Sequence, residues 1–198
     1  MSTPTDARAR LVAAAQEMFA AQGVGATSPR QVLAASGVGQ GSLYHHFPTK
    51  HDLATAAVGA TVESALTAAR RDLEGPTPAL DRVVAYLERP RDALAGCKIG
   101  RLTSDQAVMD DDGLHDVVTA YFVRLLDVVA TTLREAGLPD DDARDRAHAA
   151  VAIVQGGYVL ARATGDPDAM RAAVRGFVSI LTTPGSPAPG RTATKETA

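Results

Sequence analysis

Apolar residues in this chain recur every three to four positions, with polar residues filling the spacing between them. Leu11, Ala15, Met18 and Phe19 keep that period and predict a first helix that starts at Thr3 or Thr5 and ends before Gly23. Residues 28–47 predict two short helices around a glycine turn. Ser28 caps the first, Pro29 fills its opening position, and Gln31 is placed to complete a capping box. Val32, Leu33 and Ala35 make one side apolar, Gly37 supplies the left-handed stop, and Val38 plugs the corner. The second short helix opens near Gly39, carries Leu43 and Phe47 as an i, i+4 pair, and ends at Pro48. Gln40, Ser42, Tyr44 and His45 occupy its other face. An apolar face backed by a hydrogen-bonding face, joined by a tight turn, predicts a helix-turn-helix.

The helical period continues to residue 183. Thr49 and Asp52 open a fourth helix that runs to about Leu73, where Gly75-Pro76-Thr77-Pro78 breaks the chain. Thr77 is expected to cap the next helix and Pro78 to start it, with Leu80, Val83, Val84 and Leu87 on the inner side. Residues 90–113 are less regular and predict only a short helix over 103–109. A long helix over 114–137 shows Val117, Tyr121, Leu125, Val128 and Leu133, with Phe122 and Leu126 widening the stripe. Residues 140–164 are apolar nearly all round, and Asp166-Pro167 caps a last helix carrying Met170, Val174, Phe177, Val178 and Leu181. From Pro184 onward Pro, Gly, Thr and Ser dominate, which predicts a disordered tail over 184–198. The fold class expected is all-α: a three-helix domain over 1–53 that holds the helix-turn-helix, then a helical bundle over 54–183.

Composition narrows the function. Aromatics are 4% of 198 residues and Trp is missing, so Ala, Leu and Val must build the core. One cysteine rules out a disulfide within the chain and suits a reducing cytoplasm. No export signal and no membrane span is expected. The net charge of −3 hides an asymmetry that matters for nucleic acid. Residues 1–53 hold four basic side chains (Arg8, Arg10, Arg30, Lys50) against three acidic ones, for +1; the remainder holds 16 against 20, for −4. DNA phosphates meet the local charge and not the total.

Gly37 to Lys50, with its core Leu43-Tyr44-His45-His46-Phe47-Pro48-Thr49-Lys50, resembles the DNA-binding signature of the TetR (tetracycline repressor) family. The likeness reaches back through residue 11 and forward to Leu53. Gly39 stands where that family usually carries a capping Ser, Gln40 where Lys is common, and Leu33 where a small Ala is frequent. The resemblance implies a ligand-responsive transcriptional regulator, usually a repressor, that binds a palindromic double-stranded operator as a homodimer and leaves it when a small-molecule inducer binds. It also implies that residues 54–183 hold the ligand and the dimer seam.

Geometry assigns the DNA contacts. Gln40 and Gly41 begin the second short helix and would meet base edges in the major groove, since Gln can bond adenine through two atoms and Gly admits the backbone. Ser42, Tyr44 and His45 would hold phosphates or nearby bases, with Ser28 and Arg30 at the start of the first short helix beside them. Lys50 opens the fourth helix, where its ammonium and the positive helix end would grip one phosphate.

The resemblance places the inducer among the bundle helices, with Tyr86, Leu102, Met109, Phe122 and Tyr158 as candidate lining. Cys97, in Gly96-Cys97-Lys98-Ile99-Gly100, resembles a segment that senses electrophiles in some TetR-like regulators. Lys98 beside it would favour the thiolate; the plainer reading is a small packed hydrophobe. For the seam, the implied pair is the last two helices, through Val154, Gly157, Ala161, Val174, Phe177 and Leu181, with Gly156 beside Gly157 permitting close approach.

Two aspartate runs, Asp110-Asp111-Asp112 and Asp140-Asp141-Asp142 with Asp145, sit at predicted helix starts and read as caps rather than metal ligands. No nucleophile–base–acid set stands out, so no catalytic residue, metal or cofactor is expected. The alternative is a helical enzyme or small-molecule-binding module that reuses the fold without DNA.

Overall fold

A computed structural model describes residues 4–183; the predicted tail over 184–198 lies outside the described residues. The described chain is all helical. In order come α1 (Pro4–Gln22), α2 (Pro29–Ser36), α3 (Gln40–His46), α4 (Lys50–Leu73) and α5 (Ala79–Glu88). After a 3-10 turn over Gly100–Ser104 follow α6 (Gln106–Met109), α7 (Asp112–Glu135), α8 (Asp140–Thr164) and α9 (Asp168–Thr182).

Local rules place most of these ends. Ser28 accepts the Gln31 amide while the Gln31 side chain accepts from the Ser28 amide, which is the expected capping box. Gly37 closes α2 in the left-handed conformation at φ 62°, where a Cβ would be strained. Thr49 and Asp52 make a second reciprocal box at α4. Asp111 accepts the Leu114 amide and caps α7, as its place at a helix start suggested. Asp140 pairs with Arg134 at 2.5 Å and with Arg144 at 3.5 Å.

Some local expectations give way to packing. Thr77 makes no cap; α5 starts after Pro78, at Ala79. The short helix expected over 103–109 is divided by Asp105, which ends the 3-10 turn and caps α6 through the Ala107 amide. In α2 the buried side is Val32 with Ser36, while Ala35 faces solvent. In α7 the buried line runs through Leu114, Val118, Tyr121, Leu125 and Val129, leaving Val117 and Val128 at its edges.

Helices α1, α2 and α3 surround Leu11, Ala15, Phe19, Val32, Leu43 and Phe47, all buried. The remaining core follows the packing of α4 on α7, α7 on α8 and α8 on α9, around Leu66, Leu73, Leu125 and Leu133. Each leucine removed from water contributes about 1.5–3 kcal/mol before entropy is counted. The division between 53 and 54 falls inside α4. Its Thr61 accepts a hydrogen bond from Gln16 of α1, so both bodies share that helix.

One buried cation knits the far end. Arg82 of α5 donates to the Leu73 carbonyl at 2.6 Å and to Glu135 of α7 at 2.5 Å. It thereby satisfies a carbonyl at the C-terminus of α4 and ties three helices together.

Candidate nucleic-acid interface and effector cleft

The helix-turn-helix presents its polar face outward. Leu43 and Phe47 point inward from α3 and are buried, whereas Gln40, Gly41, Tyr44 and His45 are exposed, Tyr44 by 49%. Ser42 is half-buried and Arg30 is exposed. Ser28 spends its hydroxyl in the α2 cap. Lys50 donates its ammonium to the Gly25 carbonyl at 3.3 Å, at the side of the α1–α2 loop.

The other cations of this end have structural work that the sequence did not reveal. Arg10 donates to the Ser36 carbonyl at 2.5 Å and closes α2 beside Gly37. Arg8 lies over the Phe47 ring, 5.3 Å from its centroid, and holds α3 to α1 by charge–quadrupole attraction.

A strap joins this end to the bundle. Asp105 accepts the Val24 amide at 2.6 Å and the Gly25 amide at 3.1 Å, from 81 and 80 residues away. Arg101 donates to the Ala20 carbonyl near the end of α1, and Lys98 pairs with Glu17 at 2.9 Å. His51 at the start of α4 meets Asp111 at 2.7 Å. The Leu114 amide, and then the His51 ring, hold the Asp111 carboxyl below its usual range.

Asp105→Ala is expected to leave the half-buried Val24 N–H without its partner, at a cost of about 1–3 kcal/mol. Hydrogen exchange at Val24 and Gly25 should accelerate while α7 and α8 stay protected. Unchanged exchange at those two amides would mean that the contact does not hold the loop.

Behind the strap lies a cleft of about 730 Å³, bounded by α1, α4, the end of α5, the 95–99 segment, α7 and α8. It brings together Tyr86, Cys97 and Tyr158 of the sequence candidates and adds Tyr121, Arg89, Arg91 and Gln155. A neighbouring cleft of about 720 Å³ shares Cys97 and Tyr158 and takes in Phe122. Leu102 is buried and Met109 half-buried, and neither lines these two clefts. Tyr121 was legible only as a member of a core stripe. Arg91 gave no signal because its segment has no helical period.

Burial pushes the phenols of Tyr86, Tyr121 and Tyr158 up, so all three remain protonated donors at neutral pH. Cys97 is half-buried; its Sγ accepts from the Gly100 amide at 3.1 Å and faces the Gln155 amide at 3.6 Å. Lys98, expected to attend the thiol, sends its ammonium to Glu17 instead.

The six seam candidates differ in how far the chain itself covers them. Val154, Gly157, Ala161, Val174 and Leu181 are buried within one chain, and Phe177 alone of the six is half-buried. Gly157 is the contact that lets α8 approach α9. A Cβ there would lie 2.8 Å from Met170 Cγ, whereas one at Gly156 would meet nothing within 4 Å. The same two helices also leave Val159 (66% exposed), Leu160 and Ile180 (76% exposed) in water. Among the described residues no helix is long and apolar enough to cross a membrane.

Comparisons with known proteins agree with this architecture. Residues 11–57 match the family model described as bacterial regulatory proteins, tetR family. Residues 78–175 match that of the LmrA/YxaF-like transcriptional regulator C-terminal domain. The uncharacterized HTH-type transcriptional regulator YxaF of Bacillus subtilis is 28% identical over 167 residues, covering 81% of this chain and 87% of its own. The HTH-type transcriptional regulator LmrA of the same organism is 25% identical, covering 78% and 86%. Among solved structures, a TetR regulator from Chloroflexus aurantiacus superposes with a TM-score of 0.79 at 26% identity, covering 92% of this chain and 98% of that one. Reduced NemR from E. coli gives 0.80 at 17% identity, covering 91% and 100%, and speaks to the fold.

Proposed function

Because this chain belongs to the TetR family of transcriptional regulators, we propose that it is a repressor that a small-molecule inducer releases from a palindromic operator. One observation carries the reading: the segment that lines the cleft with Cys97 and Gly100 continues directly into Arg101 and Asp105, which grip the DNA-reading end. A ligand that repositions residues 96–100 therefore acts on the α1–α2 loop. It lowers DNA affinity only to the extent that it binds the released arrangement more tightly than the DNA-bound one.

Two copies read the operator, one half-site each, with spacing of about one helical turn, roughly 34 Å, or somewhat more. The modest positive charge of residues 1–53 makes a single domain a weak binder, so the second copy supplies most of the affinity. The protein acts in the cytoplasm, and its activity is binding without catalysis. A gel shift against the DNA upstream of its own coding region tests the reading. Absence of a specific complex there and at adjacent promoters would leave the helical binding module without DNA as the better description.

Within the interface, phosphate contacts position the protein and base contacts select the sequence. Tyr44→Phe and Lys50→Ala are expected to weaken binding to all sites alike. Gln40→Ala is expected to relax the preference at one base pair by about 1–3 kcal/mol. Affinities measured across an operator library separate the two patterns. A uniform loss from Gln40→Ala would remove it from the role of reader.

A further inference from the structure

The pairing of charges in the larger cleft points to the class of molecule it takes. Arg91 is half-buried on its wall, and three of its N–H contacts go to the carbonyls of Tyr86, Leu87 and Arg89, at 2.6, 2.7 and 3.0 Å. A guanidinium has five N–H groups, so these carbonyls do not exhaust it. The nearby cations are already neutralised: Arg89 pairs with Asp72 at 3.2 Å and Lys98 with Glu17 at 2.9 Å. Asp92, the remaining acid on the lining, accepts the Ala95 amide. Among the described residues no carboxylate forms an ion pair with Arg91.

Phenols stand on the same lining. Tyr121 and Tyr158 line the cleft, and neither phenol oxygen makes a hydrogen bond within the described residues. Gln155 adds an amide. Arg91 stacks on the Tyr86 ring, 5.3 Å from its centroid, without an ion-pair partner among the described residues. Phenol donors beside such a guanidinium favour an anion, because an acceptor with negative charge satisfies both. Ala65 and Ala68 of α4 add small apolar lining to the same cleft as Tyr121. The volume suits a small organic ligand.

We propose that this cleft selects an organic monocarboxylate with an apolar body, its carboxylate beside Arg91 and the phenols of Tyr121 and Tyr158. The proposal rests on the reading of this cleft as the effector site. Burial lowers the pKa of the Arg91 guanidinium, and a bound carboxylate would relieve that cost.

The probes are 2-naphthoate and its neutral counterpart naphthalene-2-carboxamide, titrated into the full chain by calorimetry. The acid is expected to bind at least about tenfold more tightly than the amide, the ratio a charge-assisted hydrogen bond supplies. Arg91→Gln should bring the two affinities together. Since Arg91 also staples the end of α5, Tyr158→Phe provides a milder variant, which should weaken the acid and leave the amide unchanged. Equal affinities in the wild-type chain, or no binding of either probe at millimolar concentration, would overturn the proposal, as would a preference that survives Arg91→Gln. DNA release is read separately on a bound operator. Selective binding of the acid with the operator still held would retain the ligand class and reject the inducer reading. Release by neutral compounds that bind as well as the acid would do the reverse.

Discussion

Phe47→Ala is expected to abolish operator binding while leaving the helical bundle folded. Phe47 is buried at the end of α3, where its amide closes the helix on the Leu43 carbonyl at 2.7 Å. Its ring also receives Arg8 from α1. Truncating a buried phenylalanine costs about 3–5 kcal/mol, through lost transfer energy and the cavity left behind. A three-helix unit of this size holds only a handful of such side chains, so that loss is a large share of its stability. Phe47 and the leucines Leu66, Leu125 and Leu133 belong to one continuous core. Those leucines lie where α4 packs on α7, whereas α3 packs on α1, so the bundle part should persist. Hydrogen exchange would show α2 and α3 losing protection while α7 and α8 retain it. Wild-type operator affinity in this variant would show that α3 is not the docked element.

The second large effect is expected from charging the outer faces of the last two helices. Val159 and Ile180 are apolar side chains left largely in water by the single chain, on α8 and α9. If these faces meet in the homodimer, Val159→Asp with Ile180→Asp buries carboxylates without partners, and the dimer should dissociate. Neither side chain supports the fold of its own chain, so thermal stability of the monomer should change little. Operator affinity is expected to fall at least about 100-fold, because two half-sites no longer bind as one unit. Sedimentation and gel shift together decide it. A dimeric double variant would place the seam elsewhere, and a monomer with full operator affinity would remove the need for two copies.

Phe47 and the outer faces of α8 and α9 differ in how far neighbouring residues specify them. Phe47 was legible because its spacing from Leu43 places both on one helix face, and the turn that aims that face is written in adjacent residues. The same holds for the capping boxes at Ser28 and Thr49, whose partners lie three positions away. Helical periodicity and caps are short-range physics, so they need no knowledge of what the helix packs against. The facing of α8 and α9 is the complementary case. Helices α8 and α9 are apolar on more than one side, and periodicity ranks no apolar face above another; the close approach of Gly157 to Met170 turned Val154, Ala161 and Val174 inward and left Val159 and Ile180 outside.

The sequence by itself determined an all-helical chain, the position of the helix-turn-helix and the polar face that α3 presents. Tertiary structure alone decided that Asp105 reaches back to Val24, that Lys98 serves Glu17 rather than Cys97, and that Arg91 borders a cleft with Tyr121 and Tyr158. Each of those contacts joins residues 30 to 81 positions apart. Such a contact exists only after several helices have packed, because the energy that fixes it is shared among all of them and resides in no local stretch.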